Sequence, residues 1–231
     1  MTASTADPAP VGRRARKQEL TRQRLVAAAH QQMSAAGAQS ITILSITEQA
    51  DVAQGTFYNY FDSRDALIDV VIHEAVETFG QRLDTLTRDM SDAAEIYSFS
   101  LRHLMHTAVS DPVWGWLLVR LGIAQDTLLS ILGPRAARDI QIGVDSGRFV
   151  VPDVALASAM TFGAMLSAMH SYLDGSREFD PSQQYAEYLL RMVGIPAAEA
   201  HEITQRPLPP MPALDDLASE NQSATPSAAA G

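Results

Sequence analysis

Apolar positions along this chain recur at helical spacing, and almost nowhere do they alternate as a half-buried strand requires. Leu25, Ala29 and Met33 share one face and predict a first helix over 18–36, with Gly37 past its end. Thr42 is placed to cap a short second helix whose inner face carries Ile43, Ile46 and Ala50. Asp51-Val52-Ala53 forms a tight turn, and a third short helix covers 54–60. Ser63 caps a long fourth helix carrying Leu67, Val71, Ala75 and Phe79. Further helices are expected over 93–109, from Pro112 onward, over 126–146 with a kink or restart at Gly133-Pro134, and over 153–174. A last strong helix follows Asp180-Pro181, with a weaker turn after Pro196; Gly147, Gly175 and Gly194 act as stops. The expectation is an all-α protein of about nine helices without internal repeat.

Composition narrows the class. The chain has 231 residues, 46% hydrophobic and 19% charged, which suits a sizeable core. It contains no Cys, so disulfides, thiolate metal sites and cysteine nucleophiles are excluded. No secretory leader and no apolar run of membrane-spanning length is read from the sequence, and a cytoplasmic protein with no membrane partner is expected. Residues 1–12 and the Pro-, Ser- and Ala-rich stretch 206–231 are expected to be disordered.

The net charge of −10 argues against a nucleic-acid partner until its distribution is considered. Residues 1–67 carry a net +1 and the remainder −11, and six basic residues lie between Arg13 and Arg24. Arg13, Arg14, Arg16 and Lys17 form a candidate DNA-contacting arm within an expected disordered segment 1–17. Two short helices joined by a three-residue turn and stacked on a longer one describe a helix-turn-helix. In the second of the pair, Gln54 and Asn59 carry amides suited to base edges, and Thr56, Tyr58 and Tyr60 carry hydroxyls suited to phosphates. Phe57 and Phe61 point inward.

Residues 21–67 resemble the DNA-binding domain of TetR-family transcription regulators. The resemblance is densest over Thr42–Ile46, Ala50, and Val52-Ala53-Gln54-Gly55-Thr56-Phe57-Tyr58-Asn59-Tyr60-Phe61-Asp62-Ser63-Arg64-Asp65-Ala66-Leu67, and covers about a fifth of the chain. It implies phosphate-contact and groove positions at Thr42, Thr56, Tyr58 and Tyr60, variable base readout at Gln54 and Asn59, and a match to the motif glycine at Gly55. Three positions depart from the pattern. Asp51 stands where the family has the turn glycine, Ala53 where it has a serine cap, and Arg64 where it has lysine. Asp tolerates left-handed backbone. Loss of the cap costs about 1 kcal/mol. Arg64 keeps the charge and suits phosphate.

The resemblance further implies domains at 18–66 and 67–205, the second binding an effector and dimerising. The helix over 153–174 is apolar on nearly every side, with Phe162, Met165, Leu166, Met169 and Leu173 on one stripe. Ala157, Thr161, Ala164 and Ala168 form a second stripe of small residues, suited to a homodimer bundle with 181–193. A pocket for an apolar or aromatic effector is expected from His103, His106, Trp114, Trp116, Met160, Met165 and Met169. His103 and His106 lack an evident third metal ligand, so neither metal nor cofactor is expected. No phosphate loop, Ser-centred elbow or HExxH string appears, and the chain is not read as an enzyme.

The resulting expectation is a homodimer on double-stranded, near-palindromic operator DNA, a repressor released by a small molecule. Two alternatives stay open: an effector-independent activator or co-regulator of the same fold, and a helical small-molecule-binding protein or enzyme that retains the DNA-binding unit.

Overall fold

The computed structural model describes residues 12–36, 41–124, 127–176 and 178–213, the side chains of 13 and 120–127 excepted. These residues form ten helices and no strand: α1 (Arg13–Ala36), α2 (Ile43–Gln49), α3 (Gln54–Phe57), α4 (Arg64–Thr87), α5 (Ala93–Ser110), α6 (Pro112–Ala124), α7 (Thr127–Asp145), α8 (Val154–Leu173), α9 (Ser182–Met192) and α10 (Ala197–Gln205). The chain divides into two compact units, Met1–Ile72 and His73–Gly231. The boundary falls inside α4, so this one helix belongs to both.

In the first unit, Leu25, Ala29 and Met33 of α1 are buried with Ile46, Ala50, Phe57, Phe61, Leu67 and Val71. Each of the larger side chains among them contributes roughly 1.5–3 kcal/mol by leaving water. Thr42 caps α2: its hydroxyl accepts from the Ser45 N–H at 3.1 Å, and the Ser45 hydroxyl accepts from the Thr42 N–H at 3.0 Å. The Ser63 hydroxyl accepts from the Ala66 N–H at 3.0 Å, which starts α4 as expected. Asp51 sits at φ 53, the left-handed conformation that its glycine-like position in the turn requires. Ala53 offers α3 no side-chain cap, and the helix is four residues long, shorter than the expected 54–60. Tyr58, Asn59 and Tyr60 continue it as turns, with the Tyr60 N–H donating to the Phe57 carbonyl at 2.9 Å.

The second unit is organised around α5, which packs against α6, α7, α8, α9 and α10. Tyr97, Leu101, Leu104, Met105 and Ala108 of α5 are buried, as are Phe162, Met165 and Met169 of α8 and Tyr185, Leu189 and Leu190 of α9. Gly147, Gly175 and Gly194, the expected stops, all have positive φ, between 70 and 99. Pro134 lies inside a continuous α7.

Several expectations are corrected. α1 begins at Arg13, so 13–17 are helical and not part of a disordered arm; residues 1–11 lie outside the described residues. The turn after Pro196 is a nine-residue helix, α10. Residues 206–213 are held in place: Arg206 pairs with Glu95, Arg102 Nη1 donates to the Arg206 carbonyl at 2.8 Å, and Arg82 Nε donates to the Pro212 carbonyl at 2.8 Å. By length and composition alone, α8 is long and apolar enough to cross a membrane, as the core helix of a soluble protein can be. Its inner side nonetheless packs on α6 and α7. The small-residue stripe of α8 is split, with Ala157 and Thr161 buried inside the unit. The outward face is instead Leu156, Ala159, Met160, Gly163, Ala164 and Ser167.

Candidate nucleic-acid interface and effector cavity

The turn Asp51–Ala53 and the buried Phe57 set the orientation of α3. Phe57 meets Phe61 at 5.7 Å and the edge of Tyr58 at 5.5 Å between ring centroids. With that ring inside, Gln54, Gly55, Tyr58 and Asn59 are exposed, and Thr56, Tyr60 and Arg64 are half-buried. Tyr58, a large aromatic, is 58% exposed. At Gly55 a Cβ would meet nothing within 4 Å, so nothing in the chain itself needs glycine there. A glycine inside a helix costs about 1 kcal/mol relative to alanine.

Thr42 is exposed, with its hydroxyl engaged in the cap of α2. Arg64 donates to Asp65 through Nη2 at 2.9 Å and to the Ile41 carbonyl through Nη1 at 3.4 Å. That surface pair is weak enough to yield to a phosphate. Arg14, Arg16 and Lys17 are exposed on the opening turns of α1, while the Arg13 side chain lies outside the described residues.

A small, partly open cavity of about 40 Å3 lies within the second unit, between α4, α5, α7 and α8. Its apolar walls include Leu83, Leu101, Leu104, Leu132 and Phe162, and its polar lining includes Asp84, Tyr97, Arg135, Asp139 and Thr161. Arg135 spans two acids of α4, with Nη2 to Glu77 at 2.7 Å and Nε to Asp84 at 2.9 Å. Asp84 also receives Arg138 Nη2 at 2.8 Å. The hydrogen bond from Arg135 holds the Glu77 carboxyl below the usual carboxylate range. Burial lifts the Asp139 carboxyl above that range, outweighing the opposing bond from Arg138. The Tyr97 hydroxyl is 2.6 Å from Thr161 Oγ1, and burial pushes it up to about 12. Gly80 permits this layout: a Cβ there would lie 2.8 Å from Cζ of Arg135. The cavity is therefore an apolar slot with acids, a guanidinium and hydroxyls around it.

The expected effector residues are distributed differently. His103 and His106 line a larger, open groove on another side of α5. Trp114, Trp116, Met160, Met165 and Met169 line neither space. Met165 and Met169 are wholly buried core, Trp116 meets His170 edge-on at 5.5 Å, and Met160 turns outward at 51% exposure. Sequence reasoning missed Asp84, Tyr97, Arg135, Asp139 and Thr161. The available signal was Arg135 and Asp139 one turn apart on a strongly amphipathic helix, which by itself reads as a solvated face.

Comparison with known proteins agrees with this architecture. Residues 25–71 match the profile of bacterial regulatory proteins of the tetR family, and residues 92–206 match a tetracyclin repressor-like C-terminal domain. No curated protein sequence matches the chain. Among solved structures, RolR in complex with resorcinol is 42% identical, covering 86% of this chain and 100% of its own, with a TM-score of 0.76. RolR without ligand is 40% identical over 82% of this chain and 100% of its own, with a TM-score of 0.74. The transcriptional regulator FadR from Bacillus subtilis, in complex with stearoyl-CoA, shares the fold at 20% identity over 73% of this chain and 97% of its own, with a TM-score of 0.60. A helix-turn-helix unit followed by a larger helical unit, each matched over most of its length, makes this chain a member of the TetR family of DNA-binding transcription regulators.

Proposed function

We propose that this protein is a cytoplasmic, homodimeric repressor released from its operator by a small hydroxylated aromatic compound bound in the small cavity. The observation that carries the effector class is the cavity lining. Leucines and Phe162 suit a ring, while Asp84, Arg135, Asp139 and the Tyr97–Thr161 pair suit hydroxyls at its edge. The 42% identity to a protein that binds resorcinol supports the same class.

The cavity's volume also bears on the mechanism. About 40 Å3 is room for roughly three water molecules, at 10–15 Å3 each. A ring must therefore part side chains to enter. A ligand that opens its own pocket binds two states of the protein unequally, which is the requirement for shifting a population. Asp84 and Glu77, the partners of Arg135, sit on α4, whose other end carries Arg64. A rearranged Arg135 thus has a continuous helix through which to act on the reading head. Effector and DNA affinities must then change reciprocally.

On the DNA side, α3 enters the major groove with Gln54 and Asn59 at base edges and Gly55 against the backbone. Thr42, Thr56, Tyr58, Tyr60 and Arg64 contact phosphates, with Arg14, Arg16 and Lys17 alongside. The outward apolar face of α8, with Tyr188 of α9, supports dimerisation, which sets two reading heads roughly 34–36 Å apart on a near-palindromic site. The test is fluorescence anisotropy with DNA from around the protein's own gene, titrated with resorcinol. Release by resorcinol, and its loss in Asp139→Asn, is the expected result. An unchanged anisotropy at saturating resorcinol refutes the effector assignment.

A further inference from the structure

The open groove that contains His103 is chemically unlike the small cavity. It measures about 630 Å3 and runs between α4, α5, the start of α9 and the segment 208–211. Its wall on α5 carries Arg102 and His103, only 5% and 6% exposed. Arg102 Nη1 donates to the Arg206 carbonyl at 2.8 Å, but Arg102 Nε and His103 Nε2 are both buried without a hydrogen-bond partner. Asp180 acts on Arg102 through its charge and not through a hydrogen bond. A buried guanidinium is ordinarily matched by a carboxylate, because leaving it unmatched is costly. Across the groove lie Phe79 and the apolar stretch Leu208, Pro209, Pro210 and Met211, held down by Arg82 and Arg102 through the backbone carbonyls of Pro212 and Arg206.

One wall is cationic and incompletely paired, and the other is apolar. We propose that this groove is a second ligand site, which takes a small organic monocarboxylate with an apolar body. The carboxylate meets Arg102, a bond that charge makes strong, and the apolar body lies beneath Leu208–Met211. Asp180 in the same lining selects a single negative charge over a phosphate dianion, since the second charge would face a carboxylate. The volume falls within the span of small-molecule sites, roughly 300–1,000 Å3. No residue of this groove lines the cavity, so the two ligands do not compete for one space.

Isothermal titration of the full chain with benzoate and with hexanoate tests the assignment, with acetate as the probe lacking an apolar body. At least one of the two larger acids binds with Kd on the order of 0.1–1 mM, the range that ligands of so few atoms reach. Acetate binds more weakly. Saturating resorcinol shifts this binding at most and does not abolish it, since Phe79 and Arg82 of the groove share α4 with Asp84 of the cavity. Arg102→Met weakens it about tenfold or more, and because the same side chain holds the Arg206 carbonyl, the thermal midpoint falls as well. Asp180→Asn, which retains a side-chain carbonyl to accept from the Ser182 N–H, tightens it and keeps the test decisive if Arg102→Met misfolds. Absence of heat with both larger acids overturns the proposal, as does binding indifferent to both substitutions. Competitive displacement of benzoate by resorcinol, complete at saturation, also overturns it, by putting the acid in the cavity and leaving the proposed effector response intact.

Discussion

Gly80→Ala isolates the ion-pair network that surrounds the small cavity. Alanine is the better helix former by about 1 kcal/mol, so at a neutral position in α4 the substitution stabilises. Here the new methyl lies 2.8 Å from Cζ, 2.9 Å from Nε and 3.0 Å from Nη1 of Arg135. The guanidinium must retreat about 0.6 Å to reach ordinary contact distance. A free arginine does so at little cost. Arg135 is held by Glu77 at 2.7 Å and Asp84 at 2.9 Å, with its side chain 21% exposed. Stretching charge-assisted bonds of this kind forfeits about 1.5–3 kcal/mol. The balance is a net loss of about 0.5–2 kcal/mol in the native sequence and a gain of about 1 kcal/mol in an Arg135→Ala background. The sign therefore reverses between the two. Urea unfolding of the four proteins at pH 7 measures it as a double-mutant cycle. Equal stabilisation by Gly80→Ala in both backgrounds refutes the reasoning, because Arg135 then yields freely and its bonds to α4 hold nothing in place.

Burial holds His103 down at about 4, whereas an unfolded histidine titrates near 6.5. The unfolded chain thus takes up the proton first, and stability present above pH 6.5 is lost as pH falls toward 4, by up to about 3 kcal/mol. Urea midpoints of His103→Gln fall less steeply than those of the native protein over that window; parallel curves contradict the assignment. Leu156→Asp with Met160→Asp places charge on the exposed face of α8 and yields a monomer by sedimentation, with native helicity retained. If the dimer survives, that face is not the interface. Replacing Arg14, Arg16 and Lys17 by Ala lowers the slope of log affinity against log salt by about one for each phosphate contact removed. An unaltered slope assigns those side chains to solvent.

What the sequence revealed and what it concealed separate along a physical line. The reading head was legible because its determinants are local: the Thr42 and Ser63 caps, the Asp51 turn and the inward Phe57 act within a few residues of one another. The helix stops were legible because Gly147, Gly175 and Gly194 declare their backbone conformation by identity. The cavity was not, since Asp84, Arg135 and Thr161 lie on three helices far apart in the chain and meet only after packing. Large apolar residues of α8 drew attention as a pocket, yet Met165 and Met169 are the packed centre of the unit. Residues 206–213 carry no periodicity, and what fixes them is a set of arginines from Arg82 to Arg206 that hold carbonyls and Glu95.

The central claim is that binding in the small cavity controls reading of DNA by α3. Its most direct test is anisotropy of the protein on DNA from around its own gene and on a scrambled duplex, each titrated with salt and then with resorcinol. The account predicts tight, salt-sensitive binding to the first duplex alone, reversed by resorcinol in the native protein and not in Asp139→Asn. Equal weak binding to both duplexes, or resorcinol release undiminished in the variant, contradicts it.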